Sequence, residues 1–368
     1  MKKIMIVFGT RPEAIKMCPL VSKLQEEKEF QTIVCVTGQH KEMLKQVLDS
    51  FCVVPKYDLA VMKDRQTLFD VTTNVLNGMK EIYEKEKPDV VLIHGDTTTT
   101  FAAGLAAFYE GILVGHVEAG LRTYNLAAPF PEEFNRQGVG LVAAIHFAPT
   151  KRAADNLIHE GKDVNSIFIT GNTVIDALNT TVKNDYSHPI LEWAKGYRLV
   201  MLTAHRRENL GQPLYDIFRG IKQVLDEVLD VKVIYPIHMN PVVRQTALEV
   251  FGDHERMKII APLEVLDFHN FMNQSYMILT DSGGIQEEAP ALGKPVLVMR
   301  DTTERPEGVE AGTLKLVGTN QEAIYQEFLH LLTNEKAYDA MSKAVNPYGD
   351  GTACEQIVSI LKKKLLVE

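Results

Sequence analysis

Cysteine is scarce in this chain and follows no pattern. Cys18, Cys35, Cys52 and Cys354 form no C-x-x-C pair and sit in apolar contexts. That excludes a disulfide framework and the usual zinc spacings, and it predicts buried free thiols in a reducing compartment. No apolar run approaches the ~18–20 residues of a membrane span. The apolar stretch Ile4–Phe8 follows Met1-Lys2-Lys3 like a short signal peptide, but Arg11-Pro12-Glu13 breaks it, so no export signal is expected. Positive charge is not in excess. Lys plus Arg total 39 against 48 for Asp plus Glu, a net charge of −9, which argues against a nucleic-acid or membrane-surface partner. Heptads, low-complexity tracts, short repeats, a P-loop, a G-x-S-x-G elbow and H-E-x-x-H are all missing. Gly138-Val139-Gly140-Leu141-Val142-Ala143 fits a dinucleotide fingerprint in form only, because polar Glu132–Gln137 precedes it where a strand is required. Bound NAD is therefore not expected. The localisation these absences predict is cytoplasmic.

What is present is ordinary globular composition: 45% hydrophobic residues with 24 Gly and 16 Pro in 368 residues. At ~150 residues per domain that length predicts two domains. Short β-rich runs alternate with amphipathic segments throughout. Candidate strands are Lys3–Phe8, Thr32–Thr37, Asp89–His94, Leu113–Val117, Ala144–Ala148 and Ile167–Thr170. A second series covers Arg198–Leu202, Lys232–Tyr235, Lys258–Ile260, Tyr276–Leu279, Val296–Met299 and Leu314–Val317. Runs such as Val90-Val91-Leu92-Ile93 suit strands buried on both faces of a parallel sheet. The pattern occurs twice, with polar Asn184–Lys195 between the halves, so two doubly wound α/β domains are expected.

In such folds ligands bind beyond the carboxyl ends of the strands. After the first strand come Gly9-Thr10-Arg11-Pro12-Glu13 and Lys16, with Arg11 and Lys16 at a helix start suited to an anion or simply solvated. His94-Gly95-Asp96 and His116-Val117-Glu118 each put a His and a carboxylate two residues apart at a strand end. They suit a metal site, or acid/base pairs, or a structural role in which Asp96 only caps the Thr-rich helix that follows. Glu132, after two prolines, is a further acid aimed at the same place or an ordinary first-turn carboxylate. His205-Arg206-Arg207 follow a strand directly and favour a phosphate. Ser282-Gly283-Gly284 form a glycine turn whose amides would cradle a phosphate, with Glu288 placed to accept ribose hydroxyls. Arg300 and Arg305 follow the next strand. Together these features predict a diphosphate-bearing ligand in a cleft between two domains, faced by carboxylates from the first.

The motifs Phe8–Lys16, His94–Thr97, His116–Thr123, Pro131–Glu133, His205–Glu208, Ser282–Glu288 and Asp301–Glu307 are collinear over nearly the whole chain. In combination they resemble the bacterial, non-hydrolysing UDP-N-acetylglucosamine 2-epimerases. The resemblance implies two Rossmann-like domains of the glycosyltransferase-B kind, 1–170 plus 353–368 and 171–352, and a homodimer. It implies conversion of UDP-GlcNAc to UDP-ManNAc for surface polysaccharide synthesis, without cofactor or metal. Rival readings are a hydrolysing 2-epimerase, a glycosyltransferase of the same fold and a non-catalytic UDP-sugar sensor. Carried over by residue, Asp96, Glu118, Glu132 and His205 match the family's catalytic groups. Arg11, Lys16, Phe268, Ser282, Gly283, Gly284, Glu288 and Arg305 match its substrate site. Gln39, Glu42, Arg65, Arg206 and His238 correspond to a second UDP-GlcNAc site that activates some relatives, with Glu42 standing where some of them carry glutamine.

Overall fold

Strands apolar on both faces need helices on both sides, and the architecture follows from that requirement. The computed structural model describes residues 1–38, 41–62 and 66–366, with side chains described at all of these except 41–43. Among them, seven strands form one sheet: β1 (Lys2–Phe8), β2 (Phe30–Val36), β3 (Tyr57–Asp58), β4 (Val90–His94), β5 (Leu113–Val117), β6 (Ile145–Ala148) and β7 (Ile167–Ile169). Six form another: β8 (Arg198–Thr203), β9 (Val231–Pro236), β10 (Met257–Ile260), β11 (Met277–Thr280), β12 (Val296–Val298) and β13 (Leu314–Leu316). All pairings are parallel, in the orders β3-β2-β1-β4-β5-β6-β7 and β10-β9-β8-β11-β12-β13. Both sheets are doubly wound and Rossmann-like, as the alternating pattern predicts. Every expected strand is present within about two residues. The one missed, β3, is a two-residue pairing of Tyr57 and Asp58 with Cys35 and Val36, too short to show periodicity.

Two compact units contain these sheets: Met1–Thr180 with Tyr348–Glu368, and Thr181–Pro347. In the first, Ile4–Phe8 are fully buried, and Val7, Ile33, Val75, Met79 and Ile93 belong to the core beneath the helices. In the second, Val200, Leu202, Phe218, Val233, Tyr235 and Leu279 do the same. The last helix, Ala353–Leu366, packs on Arg11–Gln25 in the first unit, with Lys362 Nζ 2.5 Å from Glu27 Oε2. Asp176 fixes its start: the carboxylate accepts the amides of Ala353 and Cys354 at 3.2 and 2.8 Å. Residues 171–180 and 348–352 therefore cluster with the first unit, where the Asn172 amide also donates to Tyr348 O at 2.7 Å. Among the described residues no helix is long and apolar enough to cross a membrane.

Candidate active site

A doubly wound sheet opens a crevice where its strand order reverses. That point lies between β1 and β4 in the first unit and between β8 and β11 in the second. The segments that follow these four strands carry Arg11 and Lys16 in the first turns of a helix, Asp96, His205 and Arg206, and Ser282–Gly284. Topology alone therefore brings these residues to the two crevices, each in its own unit.

In the first unit the anchor is a residue that sequence reading left in the background. Thr10 and Glu13 form a capping box at the start of helix Arg11–Gln25. Glu13, fully buried, accepts the amides of Gly9 and Thr10 at 3.0 and 2.7 Å. Its other oxygen accepts the hydroxyls of Thr97 and Thr100 at 2.8 and 3.0 Å. One carboxylate thus ties the loop after β1 to the loop after β4.

Glu118 follows β5 at φ 63°, a left-handed backbone that costs a non-glycine residue about 1 kcal/mol or more. Its Oε1 is 2.6 Å from Lys16 Nζ and accepts from Asn172 Nδ2 at 3.0 Å, while Oε2 lies 3.1 Å from His94 Nε2. Burial pushes the carboxyl up, but Lys16 and His94 outweigh it and hold it well below its ordinary range. Glu118 is therefore an ionised, buried acceptor. Gly120 lets the chain leave: at φ 89° a Cβ would fall 2.1 Å from Ala153 O.

Asp96 does not cap the Thr-rich helix. Thr97 does, its hydroxyl accepting from the Thr100 amide at 3.1 Å. Asp96 instead turns its carboxylate to Arg136 of helix Glu132–Val142, and Asn135 Nδ2 donates to its carbonyl at 2.9 Å. Glu132, half-buried, opens that helix, and buried Glu133 beside it accepts the amides of Thr123 and Tyr124, each at 3.0 Å. His116 is structural as well. Its ring contacts Gly95 O at 2.7 Å, and burial lowers its pKa to about 3. The two His–carboxylate pairs therefore do not converge as one four-residue cluster: His94 meets Glu118 across strands, while Asp96 and His116 go elsewhere. The Gly138–Ala143 segment falls mainly within helix Glu132–Val142, not in a strand-to-helix turn.

In the second unit Asp281 plays the part that Glu13 plays in the first. Fully buried, its Oδ2 accepts the amides of His205 and Arg206, each at 2.8 Å, and Asn209 Nδ2 at 3.2 Å. Among the described residues its Oδ1 has no hydrogen-bond partner, and it lies 3.5 Å from His205 Nδ1. The His205 ring stacks on His238, with centroids 5.2 Å apart. Burial lowers the His205 pKa, Asp281 opposes this, and His238 and Arg206 add to it. Arg305 is held by buried Glu287, Nε to Oε1 at 2.7 Å. Glu288, largely buried, faces His269 Nε2 at 3.6 Å, and His269 Nδ1 meets Thr181 Oγ1 at 2.7 Å. Phe268 is half-buried in helix Val265–Gln274. Gln39, Arg65 and the side chain of Glu42 lie outside the described residues.

Comparison with known proteins decides the family. The family model described as UDP-N-acetylglucosamine 2-epimerase matches residues 22–362. The chain belongs to the UDP-N-acetylglucosamine 2-epimerase family. It is 60% identical over 359 residues to the UDP-N-acetylglucosamine 2-epimerase of Bacillus subtilis, covering 98% of this chain and 94% of that one. It resembles the S. aureus MnaA–UDP co-structure with a TM-score of 0.92 and 52% identity, over 100% of this chain and 98% of that one. It also resembles UDP-GlcNAc 2-epimerase from Neisseria meningitidis bound to UDP-GlcNAc, with a TM-score of 0.89 and 46% identity, over 98% of this chain and 100% of that one.

For this epimerase-family chain, sequence reading missed the residues that hold the marked ones in place. Thr10-x-x-Glu13 is a legible capping signature, but its reach to Thr97 and Thr100 is tertiary. Arg136, one helical turn after Glu132, and Asn172, after Gly171, carry no local signal of contact with Asp96 and Glu118.

Proposed function

We propose that this protein interconverts UDP-GlcNAc and UDP-ManNAc at C2 without hydrolysis, with no bound cofactor. The observation that carries the reading is the ionised, buried Glu118, with Lys16, His94 and Asn172 around it, at the end of the strand next to β4, which leads to Asp96. Family membership, and relatives bound to UDP and to UDP-GlcNAc, support the substrate class.

The C2 hydrogen of GlcNAc is not α to a carbonyl, so its direct removal would leave an unstabilised carbanion. Breaking the C1–O bond sends the electron pair out with UDP and acidifies C2. Loss of the C2 proton to a carboxylate then leaves 2-acetamidoglucal. Re-addition of UDP at C1, with protonation of C2 from the opposite face, gives the epimer. Two faces call for two proton-transfer groups. Asp96 is assigned to C2, Glu118 is its partner, and Glu132 supports the sugar or the second transfer. Arg11 and Lys16 provide positive charge for the departing diphosphate, and His205 contacts it or relays a proton. Ser282, Gly283, Gly284 and Arg305 receive the diphosphate, Glu288 the ribose and Phe268 the uracil.

The same reading includes a homodimer. Phe108, Tyr109 and Leu141, near the C-terminal ends of the neighbouring helices Thr98–Tyr109 and Glu132–Val142, are exposed apolar side chains of the kind a second copy would cover. It also includes an activating UDP-GlcNAc held by Arg206, His238, Gln39, Glu42 and Arg65, and a role in surface polysaccharide synthesis. Separation of products after incubation with UDP-GlcNAc tests the core reading. UDP-ManNAc is expected, and free ManNAc with stoichiometric UDP contradicts it.

A further inference from the structure

Gly283 has no side chain, and the space where one would begin is taken by a carboxylate. A Cβ placed there falls 2.7 Å from Glu304 Oε1 and 3.2 Å from Arg305 Nη1. The same carboxylate meets guanidinium groups from two loops. Its Oε2 lies 2.8 Å from Arg300 Nη1, and its Oε1 lies 3.1 Å from Arg305 Nη1 and 3.5 Å from Arg206 Nη2. Burial pushes the Glu304 carboxyl up, but Arg305, Arg300 and Arg206 together hold it below its ordinary range.

A guanidinium fork fits a carboxylate and a phosphate equally well. Glu287 already holds Arg305 from the protein interior, at 2% side-chain exposure, while Glu304 is 34% exposed. Glu287 is thus the fixed partner of that arginine and Glu304 the exchangeable one. We infer that Glu304 is a built-in counter-anion that competes with the ligand's diphosphate for Arg300 and Arg305 above the Gly283 turn. This inference rests on reading Ser282–Gly284 as the diphosphate seat. The ligand then exchanges ion pairs instead of creating them, which lowers its affinity and lets the sugar nucleotide leave.

Calorimetric titration of UDP into the wild-type protein and into Glu304→Gln, Glu304→Ala and Glu304→Asp tests this. The two neutral variants should bind UDP more tightly, on the order of tenfold, because a charged competitor has gone. Their affinity should also fall more steeply with added salt. Glu304→Asp keeps the charge and should stay near wild type. Neutral variants that bind UDP no more tightly than wild type, or an Asp variant that tightens as much as they do, overturn the counter-anion. Absence of UDP binding in every protein, wild type included, overturns the diphosphate seat itself.

Discussion

The imidazole of His205 lies face to face with that of His238, ring centroids 5.2 Å apart and planes within 10° of parallel, while Asp281 Oδ1 stands 3.5 Å from its Nδ1. The surroundings set its charge in opposite directions. Burial lowers the pKa and Asp281 raises it, while His238 and Arg206 lower it further. The ring is therefore neutral near pH 7. Replacing His238 with Phe keeps a stacking partner and removes one lowering influence, so the His205 pKa should rise. Replacing Asp281 with Asn should drop it. Imidazole proton NMR titration reads both, and a His205 pKa that ignores both substitutions contradicts the electrostatic account.

Lys16 and Glu118 form an ion pair of 2.6 Å with side chains only 15% and 7% exposed. Removing one partner leaves the other charged and poorly hydrated. Lys16→Met should destabilise the protein by on the order of 3 kcal/mol, because breaking one side of a buried pair strands its partner. It should also abolish turnover, since Lys16 is assigned to the departing diphosphate. Chemical denaturation and an activity assay check the two effects separately. A Lys16→Met protein as stable and as active as wild type rules this out.

Acid should unfold the protein through two histidines that do no chemistry. His116 and His146 face each other across β5 and β6, and burial lowers their pKa values to about 3 and about 4 from the ordinary 6.5. The folded protein keeps both neutral, whereas the unfolded chain protonates them near pH 6.5. Their stabilising contribution is full above that pH and is lost as pH falls toward 4 and then 3. Each adds a slope approaching 1.4 kcal/mol per pH unit between its unfolded and folded pKa, on the order of a few kcal/mol per histidine. Urea unfolding between pH 7 and pH 5 measures the slope, and His146→Phe should reduce it. A slope unchanged by that substitution contradicts the prediction.

The last helix is held by a cap from another helix. Asp176 accepts the amides of Ala353 and Cys354, and burial raises its pKa. Asp176→Ala should cost about 1–2 kcal/mol, the usual loss for a helix cap. The amides of Ala353–Leu366 should then exchange faster with solvent than those of β1. Asp176→Asn, which keeps an acceptor, should lose less. Equal exchange across the helix in wild type and Asp176→Ala argues against the cap.

The strands were legible because parallel strands buried on both faces leave unmistakable apolar runs, Val90–Ile93 among them. The candidate site was legible for a related reason: topology delivers the residue after a strand to the crevice, so His94, Asp96, His205 and Ser282 stand out. The partners were not. Asp96 reads locally as a helix cap, yet Thr97 takes that role because its own hydroxyl reaches the Thr100 amide, which frees Asp96 for Arg136 forty residues later. Likewise His116 has the same spacing to Glu118 that His94 has to Asp96, but its ring is tied to Gly95 O on the neighbouring loop. Spacing places a side chain on a face; only packing decides what it meets.

In the proposed mechanism C2 exchanges its proton with a carboxylate of the first unit during reversible epimerisation. Proton NMR of the protein with UDP-GlcNAc in D2O, without added metal, tests it most directly, with Asp96→Asn measured alongside. UDP-ManNAc should build up beside the substrate with deuterium at C2, and that exchange should be lost in Asp96→Asn. Free ManNAc with stoichiometric UDP, product that keeps its C2 hydrogen, or full exchange in Asp96→Asn would contradict it.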